Sequence, residues 1–297
     1  MTTGSAELDI TPVMVTYNSA QILPWSLPAL AGCRQVVIVD NNSTDDTLAT
    51  ARQLLPQATL IEAGRNLGFG RANNLGVDAV TTPYALLINP DGQLREGALQ
   101  ALWQAAQAHP EAAILAPMLY DAPGRIGDFF RGPFNAPACK PAPEPAGDLC
   151  CDFVTGAAML LNLKLMREVG LFDPWFFLYC EDDDLCFRVR RAGHPIMVVH
   201  AASLEHRTRQ SSRPSARNTL RRIYCMTLSK FYITRKFLGT GRCVAMVVRV
   251  GLGSLVNLPI QLLMLRREHA LKQAARLAAA VLAVRHLRRA HCFEPDN

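Results

Sequence analysis

Carboxylates almost vanish from the last third of this 297-residue chain. Between Arg207 and His291 a single acid, Glu268, faces 18 Lys and Arg side chains. Residues 1–206 carry 13 basic and 22 acidic side chains, so a formal net charge of +6 conceals a first part near −9 and a second near +17. Such asymmetry points the second part toward an anionic surface, nucleic acid or anionic lipid. Metal-binding cysteine pairs are missing too. Of nine cysteines, Cys150 and Cys151 are adjacent and Cys180 and Cys186 are six apart, with no CxxC anywhere. That spacing argues against a zinc ribbon and a disulfide framework, and reduced thiols in a cytosolic protein are expected. The stretch MTTGSAELDI has no basic region followed by an apolar one, so it does not read as a secretory signal. Finally, VTYNSAQ after the first apolar run lacks GxGxxG, which argues against an NAD-linked dehydrogenase.

What the acidic part does contain is apolar runs alternating with helical patterns. TPVMVTYN (11–18) predicts a buried strand, and QVVIVDNNSTD (35–45) a second over Val36 to Val39. Asp45, Asp46 and Thr47 open a helix that runs to about Leu55 and stops at Pro56. ATLIEAG (58–64) predicts a third strand, GRANNLGVDAVT a helix and YALLINPDG (84–92) a fourth strand. This alternation predicts an α/β fold with a parallel, doubly covered sheet. Ligands bind at the carboxyl ends of such strands, here the polar segments TYN, DNNSTD and NPDG. Residues 121–148, rich in Pro, Gly and Ala, predict an irregular excursion. VTGAAMLLN then resumes as a strand, Leu163 to Val169 as a helix ended by Gly170, and HPIMVVHAASLEH as one more strand. From about residue 215 the pattern is helical.

The most unusual stretch is FFLYCEDDDLCFRVRRAG, Phe176 to Gly193, where Glu181, Asp182, Asp183 and Asp184 stand in a row between apolar flanks. As a helix start it is sensible. Acids sit at the positive end of the macrodipole, Arg188, Arg190 and Arg191 occupy later turns, and Gly193 terminates. Asp184 and Arg188 are spaced to pair across one turn. Helix chemistry does not explain the apolar flanks. A carboxylate beside apolar side chains has a raised pKa and can serve as a general base near neutral pH. INPDG (88–92) is turn chemistry, or else it offers a hard oxygen ligand for Mg²⁺ or Mn²⁺. NLGFGRANNLG (66–76) has the glycines for close backbone approach to a phosphate but lacks the dinucleotide fingerprint's third glycine. His206 follows the last strand. A lone histidine is more often structural, His200 is a rival, and His194, before Pro195, reads as a turn residue.

Taken in order, VTYNS, VDNNSTD, NLGFGRANNLG, LLINPDG, VTGAAMLL, GLFDPWFFLYCEDDDLCFRVRRAG and His206 resemble the family 2 glycosyltransferases, especially their rhamnosyltransferase-like branch. The resemblance covers about residues 12–210. It implies a GT-A fold, Rossmann-like with a mostly parallel central sheet and flanking helices, here with a helical extension. It also implies a nucleotide-diphosphate sugar donor, a divalent metal (Mg²⁺ or Mn²⁺) and inversion at the anomeric carbon. By position, Thr16, Tyr17 and Asn18 would line the nucleotide pocket, Asp40 would bond the base and Asn42 would sit beside it. Gly68 and Arg71 would lie near the donor. Asp91 matches the metal-binding acid of the DxD motif, whose first Asp is Asn89 here, and His206 matches the second metal ligand. Asp182 would deprotonate the acceptor hydroxyl, with Gly156, Trp175 and Glu181 on the acceptor side. A tryptophan there is as readily a core residue as a sugar platform. Asp183 stands where the branch has an apolar residue and is expected to face solvent. The resemblance favours rhamnose, with galactofuranose or another hexose as alternatives, and a glycan or lipid-linked acceptor in cell-surface polysaccharide synthesis. A non-catalytic membrane-associated nucleotide-sugar or glycan-binding protein is the rival from another class. The implied division is a catalytic domain over 1–212 and a basic helical region over 213–297.

In that basic region CVAMVVRVGLGSLVNLPIQLLML (243–265) is long enough to span a bilayer. Arg249 near its middle costs about 2.5–3.5 kcal/mol on insertion scales. Basic flanks instead suit a helix lying among headgroups, and a helical appendage packed on the rest is the third reading. The expectation is a cytoplasmic protein peripheral at the inner face of the plasma membrane, in contact with anionic lipid. No recognised nucleic-acid module accompanies the charge, so nucleic acid is not expected as a partner.

Overall fold

The run from Ile10 to Thr16 is apolar and partly β-branched with no helical period, and it forms β1 (Ile10–Thr16), six of whose seven residues are buried. Burial on both faces is what a strand inside a parallel sheet requires. The structure, a computed structural model, describes residues 8–122, 125–126, 145–207 and 215–286, with backbone alone for 121–122, 125–126 and 284–286. Most of the excursion expected at 121–148 lies outside the described residues. The elements that follow β1 are α1 (Leu23–Ser26), β2 (Val37–Asp40), α2 (Thr47–Leu54), β3 (Thr59–Glu62), α3 (Phe69–Val77), β4 (Tyr84–Ile88), β5 (Gly92–Leu94) and α4 (Ala98–Ala108). Next come β6 (Ile114–Ala122), β7 (Arg125–Ile126), β8 (Leu149–Cys150), β9 (Ala158–Asn162), α5 (Leu163–Val169), α6 (Glu181–Arg191) and β10 (Ile196–His206). Three long helices close the chain: α7 (Ala216–Leu238), α8 (Thr240–Leu263) and α9 (Arg267–His286).

The sheet order is β3-β2-β1-β4-β9-β6-β10-β5. From β3 to β4 all neighbours are parallel, with Val13 opposite both Val37 and Leu87. Beyond β4 the sheet is mixed. β9 is antiparallel to β4 and β6, β10 is parallel to β6, and β5 is antiparallel to β10. A parallel neighbour needs a crossover of a dozen or more residues. The Asn89-Pro90-Asp91 link after β4 is far too short for one, so β5 leaves its predecessor and pairs with β10. That pairing sets Gly92 opposite His206.

Helix α3 lies close over the sheet because Gly76 permits it. A Cβ there would come within 2.4 Å of Val13 Cγ1 and 3.0 Å of Val39 Cγ2. Arg188 of α6 donates to the carbonyls of Val169, Gly170 and Leu171 at 2.9, 2.9 and 2.5 Å. A cation thus satisfies the open carbonyls at the end of α5.

The chain divides into two compact units, Met1–Phe172 with Leu185–Ser211, and Asp173–Asp184 with Ser212–Asn297. The first contains the sheet. The second contains α7, α8, α9 and the segment that ends in the first turn of α6. Within it, Ser215 caps α7 by accepting from the Asn218 N–H at 3.0 Å. Cys243 of α8 donates its thiol to the Phe231 carbonyl at 3.3 Å. The seven described cysteines are free thiols.

Candidate active site

In the first unit the polar strand ends form one bonded patch. Thr16 donates its hydroxyl to Asp40 Oδ1 at 3.3 Å, and Asp40 Oδ2 accepts the Ser43 N–H at 2.9 Å. The Asn18 N–H donates to Ser43 Oγ at 2.9 Å, and Asn18 Oδ1 accepts the Thr44 N–H at 2.8 Å. Asn18 and Asn42 both adopt left-handed backbone, at φ 51° and 67°, a conformation that asparagine tolerates better than most residues. Tyr17 is 38% exposed beside them. The predicted nucleotide-side residues are therefore together, and Thr16 and Asp40 lie buried beneath the exposed ones.

Asn41 also belongs to this bonded patch, and the sequence reading did not single it out. Its side chain donates to Asn66 Oδ1 and the Gly68 carbonyl, both at 3.1 Å, and accepts the Leu67 N–H at 2.7 Å. It ties the end of β2 to the glycine loop. Gly68, at φ 81°, turns that loop into α3, whose first turn carries Arg71. Further along α3, Asn74 bonds Phe172 twice, donating to its carbonyl at 2.8 Å and accepting its N–H at 3.1 Å. The only signal available was that asparagine doublets stand in both motifs.

The second cluster follows from the β5–β10 register. The Asn89 N–H donates to the Ala157 carbonyl, next to Gly156, at 3.0 Å, and the Gly92 N–H closes the turn onto the Asn89 carbonyl at 3.0 Å. Arg207 donates its N–H to the Asp91 carbonyl at 2.9 Å. Asp91 Oδ1 then lies 3.2 Å from His206 Nε2, and Asp91 is only 6% exposed. His206 Nδ1 is buried with no hydrogen-bond partner among the described residues. Among those residues no group of three or more His, Cys, Asp or Glu side chains gathers as a metal site. A carboxylate oxygen and an imidazole nitrogen converging at this distance nonetheless fit a divalent cation as part of its ligand set. The remaining positions would fall to donor oxygens and water.

The acidic segment belongs to the second unit. Tyr179 and Cys180, just before it, both have positive φ, 72° and 64°. Two consecutive side-chain-bearing residues in that region are strained and persist only where surroundings impose them. Helix α7 imposes them here. Ser229 donates to the Leu178 carbonyl at 3.0 Å, and Tyr232 donates its hydroxyl to Asp173 Oδ2 at 2.9 Å. Lys236 bridges Asp173 Oδ2 at 2.7 Å and Asp184 Oδ1 at 2.5 Å. Trp175 stacks on Tyr232 at 3.7 Å and 8°. That ring face is closed to a sugar, so Trp175 packs in the core here. Asp184, matched with Arg188 by spacing, has Lys236 as a partner that spacing does not reveal.

The other acids differ in environment. Glu181 is 5% exposed, and its Oε2 has no hydrogen-bond partner among the described residues. Burial, reinforced by the Asp182 charge, pushes its pKa well above the carboxylate range. Asp182 is half-buried and accepts the Asp183 N–H at 3.0 Å. Asp183 does not face solvent freely as expected. It is half-buried, and burial together with Asp182 pushes its pKa up to about 7.

Residues 11–132 match the model of glycosyl transferase family 2. The chain is a glycosyltransferase, similar over that segment to family 2. Over 249 residues this glycosyltransferase is 28% identical to the N-acetylglucosaminyl-diphospho-decaprenol L-rhamnosyltransferase of Mycobacterium tuberculosis, covering 70% of this chain and 80% of that protein. It is 26% identical over 172 residues to the rhamnosyltransferase WbbL of Escherichia coli K12, covering 50% of this chain and 65% of that protein. Among solved structures it resembles the mannosyltransferase PcManGT from Pyrobaculum calidifontis, in complex with GDP-Man and Mn²⁺. There the TM-score is 0.56 at 14% identity, covering 94% of this chain and 88% of that one. The glycosyltransferase therefore has the expected GT-A fold, with a mixed sheet, flanking helices and a C-terminal helical region.

Proposed function

We propose that this enzyme transfers a sugar, rhamnose before other hexoses, from a nucleotide-diphosphate donor to a hydroxyl of a lipid-linked glycan, inverting the anomeric carbon. The observation that carries the reading is the Asp91–His206 pair, 3.2 Å apart at the polar end of the sheet, with Asp91 buried and His206 half-buried. Thr16, Tyr17, Asn18, Asp40 and Asn42 hold the nucleotide, and Gly68 and Arg71 approach the donor. Asp91 and His206 would hold Mg²⁺ or Mn²⁺, which when bound supplies positive charge against the leaving diphosphate. Asp182 takes the proton of the acceptor hydroxyl. Glu181, whose burial disfavours its charged form, stands on the acceptor side. The rhamnosyltransferase relatives support the choice of sugar, and the mycobacterial relative's lipid-linked diphospho-sugar substrate supports the acceptor class. That acceptor class supports a place at the inner face of the plasma membrane, in cell-surface polysaccharide synthesis.

A donor screen tests the reading. The purified chain is incubated with nucleotide-activated rhamnose, galactofuranose, N-acetylglucosamine and mannose, with and without Mg²⁺ or Mn²⁺. Metal-dependent thermal protection and slow hydrolysis of the rhamnose donor are expected. Protection by another sugar alone overturns the assignment of rhamnose, and protection by none overturns the donor class.

A further inference from the structure

We infer that α8 is a docking face that lies in the plane of an anionic lipid bilayer. The helix has 24 residues, its most apolar 18-residue window has a mean hydropathy of 1.8, enough by length and composition to cross a membrane, and only 11% of that window is buried. Its two faces differ. One is committed to the protein. Cys243 and Ser254 are buried, Cys243 bonds the Phe231 carbonyl of α7, and a Cβ on Gly251 would touch Ala280 of α9 at 3.4 Å. The other face carries Val244, Val248, Leu252, Leu255 and Val256, each between 51% and 62% exposed. At 100° per residue these form one continuous stripe. Arg242 and Arg249, both exposed, fall along one edge of it, and the exposed Arg266 and Arg267 follow its end.

Charge selects the occupant. Across residues 215–286 the only acid is Glu268, which is paired with Lys272 at 3.0 Å. An apolar stripe edged by arginines, in a region of one sign, matches acyl chains below and anionic headgroups around them. Long arginine stems let the guanidinium groups reach the headgroup layer while the stripe is immersed. Spanning does not fit. A spanning helix exposes apolar surface all round, whereas one face of α8 is spent on α7 and α9. Crossing would also carry Arg249 into the hydrocarbon. This inference does not rest on the proposed sugar chemistry.

The test floats the full chain with vesicles of phosphatidylglycerol and phosphatidylcholine, and with phosphatidylcholine alone. Low-salt partitioning about tenfold stronger to the anionic vesicles is expected. The double variant Leu252→Glu/Val256→Glu alters exposed positions, and its circular dichroism should match the parent. It should lose binding to both vesicle types about tenfold. Arg242→Gln/Arg249→Gln should lose the anionic preference and keep the weaker neutral binding. Alkaline carbonate should release the bound parent. Absence of anionic binding, or unchanged binding by the Glu variant, overturns the inference. Carbonate-resistant retention overturns the in-plane placement. Light scattering that shows a lipid-indifferent dimer, made monomeric by the Glu substitutions, would assign the face to a second copy instead.

Discussion

The Asp91–His206 pair and the Glu181–Asp184 run are built in opposite ways. Asp91 and His206 are 115 residues apart and meet because β5 pairs with β10. Main-chain bonds set that geometry, so it does not depend on any one neighbouring side chain. The four acids are consecutive, yet their segment is held by side chains of α7, with Lys236 reaching Asp184 from 52 residues away. A ladder-built pair should tolerate substitution nearby. A clamp-built segment should fail with its clamp.

The comparison breaks most visibly at the proposed base. Asp182→Asn is expected to lower turnover about 10²–10⁴-fold, the range for removing a general base, while donor affinity stays within about twofold. Steady-state kinetics beside calorimetric donor titration separates the two. Unchanged turnover would remove Asp182 from the mechanism. Next in size is the clamp. Lys236→Met removes the ammonium bonded to the fully buried Asp184 carboxylate, which is expected to cost about 3–5 kcal/mol in denaturant unfolding and to depress turnover as well. Adding Asp184→Asn should recover part of the loss, and a double-mutant cycle measures the coupling. A loss below about 1 kcal/mol would show that Lys236 does not hold the segment. Asp91→Asn sharpens the contrast. Turnover should fall on the order of 10²-fold with weaker metal dependence, while the melting temperature barely moves because the register survives. A large drop in melting temperature would mean that the pair is structural after all.

How much of this was legible depended on the range of the interaction. The strands β1 to β4 and the helices between them were readable because burial and periodicity are local. The polar strand ends and the Asp91 and His206 positions were readable from motif order. The antiparallel β5 was not, since a three-residue strand is defined by its distant partner β10. Asn41 was not, because it reads as one more turn asparagine until its three bonds to the glycine loop are seen. Lys236 and Tyr232 look like any basic and aromatic positions on a long helix. Trp175 shows the same limit from the other side, since its neighbour Tyr232 decides what its ring touches.

The smallest expected effect is in pH dependence, and its sign tests the environment of the acidic run. Asp183 has an ordinary value of 3.8 and sits at about 7 in the folded protein, through burial first and the Asp182 charge second. The native state therefore binds a proton that the unfolded chain releases between about pH 4 and pH 7. Stability follows the difference in bound protons, so the Asp183 contribution is fully present below that window and is lost as pH rises through it. Asp173 works in the opposite direction. Burial raises its pKa, but hydrogen bonds from Lys236, the Trp175 N–H and Tyr232 together hold it below 3.8, so its contribution is lost as pH falls through that lowered value. Asp183→Asn should flatten the fall in unfolding free energy between pH 4.5 and pH 7.5, by on the order of 1 kcal/mol once partial exposure is discounted. Parallel melting curves for parent and variant would mean that Asp183 is as well solvated as its sequence position first suggested. Burial in the acidic run would then fall on Glu181 and Asp184 alone.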